Sequence, residues 1–233
     1  MNILVKIING IICAVFFAAC TNNVLEQKNV PPFHYVNIVG GLAKINVLLH
    51  QDFTSYRVQI DGLQTNGIST QVVEDTLFVS FRKCSHGKYN IDISAPEYCG
   101  IDASLLHSLR TANTLKQDRI SAELACIEKL KLDIDAEHAD LEIHACDKVI
   151  ITGQCDTVDI SGCSPLMILD TRKLSNKNMC VSCSGKTLKI KGGEQLWIKN
   201  AFLTTIYYDG NPEILLENFK MSSLYYKKLG FIY

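Results

Sequence analysis

Residues 132–168 read LDIDAEHADLEIHACDKVIITGQCDTVDISGCSPLMI, and their spacing decides the fold. Isoleucines stand at 134, 143, 151, 160 and 168, each near the end of a short run in which apolar and polar residues alternate. Alternation with period two is the signature of a strand with one buried face. Val181, Ile190, Ile198 and Ile206 continue the series, and its steps are 9, 8, 9, 8, 13, 9, 8 and 8. The long step equals an ordinary one plus an insertion around Arg172 to Asn178. Alternate members are 17 apart: Ile134, Ile151 and Ile168 form one set, Ile143 and Ile160 another. A pattern repeated every half-turn and every full turn is what stacked coils leave in a sequence. An antiparallel barrel or sandwich also spaces its strands in this way. The evenness of the steps favours the solenoid, in which Ile134, Ile151 and Ile168 form one apolar column.

Working outward, the chain before residue 96 carries the same alternation in shorter runs. Val36 to Val39 precedes Gly40-Gly41, Tyr56 to Ile60 ends at Asp61-Gly62, Leu77 to Phe81 follows Glu74-Asp75, and Tyr89 to Ile93 ends at Ala95-Pro96. These are strands bounded by turn residues. Beyond the leader, only Leu105 to Arg110 and the C-terminal segment have helical potential. The expected organisation is all-β: a strand-rich N-terminal portion over 33–95, solenoid repeats over 96–213, and a cap or tail over 214–233.

The first twenty residues speak of location. Lys6 precedes an apolar stretch from Ile7 to Ala19, too short to span a bilayer, which takes about 20 residues. It ends Phe17-Ala18-Ala19-Cys20, which is similar to a bacterial lipoprotein signal cleaved before Cys20. On that reading 1–19 is removed and Cys20 is acylated, so the protein is anchored to a membrane surface without crossing it. An ordinary secretory signal or an uncleaved anchor are the alternatives. Thr21 is compatible with sorting to the outer membrane. Residues 20–32, polar and closed by Pro31-Pro32, read as a tether.

Of 233 residues, 47% are hydrophobic and 20% charged, a globular balance. Lys and Arg number 23 against 24 Asp and Glu. Lys227-Lys228 is a local basic pair and not a patch, and the linear sequence offers no dense stripe for phosphates, which argues against nucleic acid.

Distributed features also resemble the auto-transporter adhesin head family, or GIN domain, of exported bacterial proteins. They are the alternation from Phe33 to Leu49, Asp75 to Val79, Ile91 to Pro96, Ser161-Gly162, Ser184-Gly185 and the closing Tyr208-Asp209-Gly210-Asn211-Pro212. The family's Gly-Ser-Gly turns are largely replaced, for example by Ala136-Glu137-His138. The resemblance implies a single-stranded right-handed parallel β-helix, pectin-lyase-like in shape, with an adhesion or surface role.

Candidate chemistry is sparse. Cys146 and Cys163 stand 17 apart, so a rung-to-rung disulfide is one expectation and stacked free thiols the other. Cys180-Val-Ser-Cys183 has redox spacing without the helix such motifs use to lower a thiol pKa. Glu142, His144 and Cys146 alternate on one strand face, a zinc-type set that a solvated outer face explains equally well. A 17-residue stack would put Glu142 beside Asp159, a carboxylate pair with polysaccharide-cleaving potential but no basic companion. Trp197, the only Trp, points outward by parity as a candidate ligand contact, unless the C-terminal segment covers it. No catalytic residue, metal or cofactor is assigned. The reading is a lipid-anchored recognition module for a glycan or envelope protein. A polysaccharide-active enzyme and a structural envelope lipoprotein are the alternatives.

Overall fold

A computed structural model describes residues 24–62, 65–81 and 87–226. The leader, Cys20 and Lys227-Lys228 lie outside the described residues.

The chain forms one 14-stranded sheet. Its strands are β1 (Val24–Asn29), β2 (Tyr35–Val39), β3 (Lys44–Gln51), β4 (Arg57–Gly62), β5 (Ile68–Val73), β6 (Thr76–Phe81) and β7 (Lys88–Ala95). There follow β8 (Gly100–Thr111), β9 (Leu115–His144), β10 (Lys148–Lys191), β11 (Gln195–Phe202), β12 (Thr205–Asp209), β13 (Glu213–Lys220) and β14 (Ser223–Tyr226). A single 3-10 turn, Thr65–Gly67, is the only helical element among the described residues. The segments with helical potential are thus strands: Leu105 to Arg110 lies in β8, and the C-terminal segment supplies β13 and β14. Tertiary pairing decides here, as it does for most short segments of ambiguous propensity.

From β8 onward every pairing is parallel, and each passage of the chain lies against the next. Leu109 pairs with Leu130, 21 residues on; Ile160 pairs with Leu141, 19 back; Val181 pairs with Ile198, 17 on; Thr205 pairs with Ser223, 18 on. Side chains alternate inward and outward, and the inward ones make one continuous core. Ile134, Ile143, Ile151, Ile160, Val181, Ile190, Ile198 and Ile206 are all buried in it.

Ile168 is not: it is 38% exposed, and Met167 and Leu169 are buried in its place. Nor does the column run Ile134 to Ile151, because Gly153 lies over Ile134 and Ile151 over Leu132. The offset here is 19, not 17. A shift of two residues keeps every side chain on its own face, so an apolar pattern fixes parity but not register.

Several corners use left-handed residues other than glycine. Leu105, Cys126 and Ala145 all take left-handed backbone (φ 57°, 54° and 49°), as do Leu203 and Met221 (φ 52° and 50°). Leu105 to Cys126 is one 21-residue offset and Leu203 to Met221 one of 18, so these residues stack as a corner column. Non-glycine residues pay about 1 kcal/mol or more for this conformation and adopt it where surrounding pairing dictates it.

The N-terminal portion is not a separate layer before the repeats. β8 pairs in parallel with both β2 and β3, which pair in turn with β6 and β7. The order along the stack is therefore β6 and β7, then β2 and β3, then β8, and the boundary at residue 95/96 has no counterpart in the sheet. Antiparallel strands close this end: β5 on β6, β4 on β7, and β1 on β4. The segment read as a tether is accordingly ordered from Val24, because β1 satisfies its backbone groups on β4. At the other end β13 and β14 continue the parallel stack instead of folding over it. Tyr225 stacks on Tyr207 at 5.6 Å between centroids.

Candidate functional site

One outer face carries Asp159, Cys180 and Trp197 of the residues singled out from the sequence; Glu142, His144, Cys146 and Cys163 lie elsewhere. Asp140 and Asp159 are register partners, as are Cys180 and Trp197, and Trp197 and Leu215. Arg119 begins the line, its guanidinium donating to Asp140 Oδ2 at 2.9 Å. Asp159 and Lys199 flank the Cys180 thiol, joining the two halves. A ladder of outward side chains thus crosses successive rungs, each about 4.8 Å from the next.

Trp197 is half-buried on this ladder between the buried Leu196 and Ile198, outward as its parity requires. Lys199 Nζ sits 4.2 Å from the centre of its ring, a cation–π contact. Beside it Asn218 Nδ2 donates to Asn200 Oδ1 (3.0 Å), and Asn200 Nδ2 donates to Ser182 Oγ (2.8 Å). An aromatic platform edged by amides and hydroxyls is chemistry for binding a polar, flat-faced molecule.

Asp159 faces Asp140, not Glu142. Glu142 pairs with Ser161, and its carboxylate lies 2.7 Å from His144 Nε2 on its own strand. The 19-residue offset makes the difference. His138 joins the aspartates, with Nε2 3.7 Å from Asp140 Oδ2 and 3.6 Å from Asp159 Oδ2. Among the described residues these three form the group whose ligand atoms converge, all within 4.8 Å. Arg119 already supplies a positive charge to Asp140 there. The set Glu142, His144 and Cys146 does not converge, because the left-handed turn at Ala145 swings Cys146 into the core.

That turn also separates the two cysteines proposed to bridge. Cys146 is buried, its thiol directed at the carbonyls of His144 and Leu124, whereas Cys163 is exposed; both are free. Thiolate chemistry is disfavoured throughout the interior. Burial pushes the Cys183 thiol up to about 12 and the Cys155 thiol up to about 11, and it raises Cys180 and Cys146 as well. Cys180 and Cys183 lie on opposite faces of an extended strand, one half-exposed and one buried, with no helix to stabilise a thiolate.

Among the described residues the class of protein is all-β, built on one mostly parallel sheet. The chain itself belongs to the family described as "Putative auto-transporter adhesin, head GIN domain", whose model matches residues 35–212. No curated protein matches it. Among solved structures it is similar to a putative adhesin from Bacteroides fragilis NCTC 9343, with TM-score 0.76, 16% identity, and coverage of 88% of this chain and 97% of that one. A putative adhesin from Parabacteroides distasonis ATCC 8503 gives TM-score 0.59 and 12% identity, covering 87% and 96% of the two chains. A protein from the same organism described as a putative lipid binding protein gives 0.60 and 11%, covering 88% and 98%. At these identities the likeness is one of fold.

Proposed function

We propose that this protein is a non-catalytic recognition module of the bacterial envelope, a right-handed single-stranded β-solenoid anchored by lipid at Cys20. The observation that carries the reading is the ladder from Arg119 to Leu215, an outer face that presents Trp197, with the Ser182–Asn200–Asn218 hydrogen bonds running beside it from strand to strand. Parallel pairing at offsets of 17 to 21 residues supports the solenoid. Membership of an adhesin head family supports a surface role, for a glycan or an envelope protein as partner. The leader sequence supports export and an outer-membrane anchor.

Asp140 and Asp159, facing each other beside His138, favour one rival: an enzyme cleaving a polysaccharide with paired carboxylates. Both readings meet in one experiment. The purified protein is applied to a glycan array and, in parallel, assayed for reducing-sugar release. Recognition predicts array binding that falls in Trp197→Ala, with no sugar release. Release that disappears in Asp140→Asn or Asp159→Asn overturns the non-catalytic reading. For the anchor, Cys20→Ser is expected to shift the protein from the membrane fraction to the soluble one.

A further inference from the structure

Far from the Trp197 ladder, the flank formed by β7, β3, β8, β9 and β10 holds a groove of about 640 Å³. Six cations line it: Lys44, Lys88, Arg110, Lys129, Lys131 and Lys148. No carboxylate does. Among the described residues none of the six has an Asp or Glu oxygen within 4.0 Å. Glu128, adjacent in sequence to Lys129, lies 2.7 Å from His107 Nδ1.

The arrangement opposes stability. Lys44 is the register partner of Lys88, Arg110 of Lys131, and Lys129 of Lys148. Like charges set directly opposite on neighbouring strands repel, at a cost that nothing in the fold returns. A second groove, lined by residues of 116–118, 135–137, 154–156 and 175–177, behaves differently. There Lys177 Nζ lies 2.7 Å from Asp156, and Gln154 donates to Asp135 at 2.6 Å. That groove mixes both signs, Asp118, Asp135, Glu137 and Asp156 with Lys116 and Lys177; the basic groove carries one sign alone. In a chain of net charge −1, such a concentration is a feature of the surface and not of the composition.

The floor adds hydrogen-bonding capacity along the same axis. Asn46 Nδ2 donates to Asn90 Oδ1 (3.0 Å), and Ser108 Oγ donates to Asn46 Oδ1 (2.7 Å). The register carries this column on to Lys129 and Lys148. Beyond Lys148 it ends at the exposed Ile168, whose N–H donates to the carbonyl of Asp147 (2.8 Å).

We propose that this groove binds an acidic polysaccharide, its chain lying along the stack with carboxylates on the paired cations and hydroxyls on the Asn46–Asn90–Ser108 ladder. One sugar unit of an extended chain is about as long as one rung of about 4.8 Å, so charge can meet charge repeatedly. No Phe, Tyr or Trp lines the groove, so the large aromatic platform on which single-stranded nucleic acid stacks is missing. The cations occupy a concave groove, which suits a chain lying in it better than a flat lipid surface. The proposal deepens the recognition reading and rests on it.

The test is binding of the purified protein to polygalacturonate oligomers, with dextran, duplex DNA and phosphatidylglycerol vesicles as comparison probes. Polygalacturonate is expected to bind, dextran to bind at this groove not at all, and affinity to fall as salt rises. Lys129→Gln/Lys131→Gln/Lys148→Gln is expected to weaken binding by about tenfold or more. Because it removes repulsion between exposed side chains, its melting temperature should equal or exceed that of the wild type. Lys44→Gln/Lys88→Gln, at the opposite end, should weaken binding independently. Tighter binding of DNA or vesicles than of polygalacturonate overturns the proposal, as does undiminished binding by both variants. If other glycans bind on the array while polygalacturonate does not, the groove assignment falls and the recognition reading stands. If no glycan binds, charged or neutral, both fall.

Discussion

The regular windings from β8 onward and the closed end built from residues 24–95 share one core but are held together by different means. In the regular part, each winding is bonded to the next by parallel backbone pairing at short sequence offsets. At the closed end, segments distant in sequence meet, and side chains reach across to backbone. Gln51, buried at the end of β3, donates from Nε2 to the carbonyls of Pro96 (2.7 Å) and Lys116 (3.0 Å), and accepts the Lys116 N–H on Oε1 (2.7 Å). Asn113 exchanges two hydrogen bonds with the Gln51 backbone. Tyr98, fully buried, sets its hydroxyl within reach of the carbonyls of Ile93 (2.7 Å) and His50 (3.2 Å). Both regions set polar side chains on backbone, as Ser164 Oγ does on the Cys146 carbonyl in the regular part, but at the closed end a single side chain, Gln51, ties three backbone groups of distant segments together.

That contrast can be broken from either side. In the regular part, Gly153 has φ +105°, and a Cβ there would lie 2.0 Å from the Ile134 carbonyl oxygen of the winding beneath. Gly153→Val should cost about 4 kcal/mol, adding backbone strain to an overpacked contact that only a shift of the winding relieves. A denaturant titration reads this as a lowered midpoint. Gly41→Ala, with nothing within 4 Å of its Cβ, serves as the matched neutral control.

At the closed end, Gln51→Ala should cost about 3 kcal/mol, because it leaves one buried N–H and two carbonyls without their partner. Hydrogen exchange would sharpen the point: protection should fall first at Lys116 and across β3, with β11 and β12 unaffected. Uniform loss across the chain would mean that the two regions unfold as one unit.

The smallest expected effect is one of pH. The Asp52 carboxyl, in the turn after β3, is held down to about 2 by the Thr54 hydroxyl, then the Ser55 hydroxyl and the Thr54 N–H. Its ordinary value is 3.8. Folding therefore favours the charged form, and the contribution is complete above pH 3.8 and lost as pH falls from there through about 2. Asp52→Asn should flatten the stability profile in that window alone. An unchanged profile between wild type and variant would remove this turn from the account.

How much of this was legible beforehand follows from the same physics. Alternation named the strands and the core, and eight of the nine apolar positions from Ile134 to Ile206 are indeed buried. Register was not legible, since 17 and 19 leave Ile134 and Ile151 equally buried. The consequences fell on the side chains whose neighbours matter most: Asp159 met Asp140 instead of Glu142, and Cys146 turned away from Cys163 at Ala145. The basic groove was hidden for another reason. Its six cations come from five separate stretches, and Lys44 and Lys88 join the others only because β3 lies next to β8, and β7 next to β3, out of sequence order. A search for cations recurring at the winding offset would have found Arg110, Lys131, Lys129 and Lys148, but not those two.

The out-of-order threading also sets what can change as such a chain diversifies. Beyond β8 each passage of the chain pairs with the passages one offset before and after it, so duplicating or deleting one is expected to leave the flanking passages in register. Each such event alters the reach of the molecule by about 4.8 Å. The closed end tolerates no equivalent edit, since β2 and β3 are clasped between partners from both later segments. Length is therefore an adjustable property of this architecture at one end and a fixed one at the other.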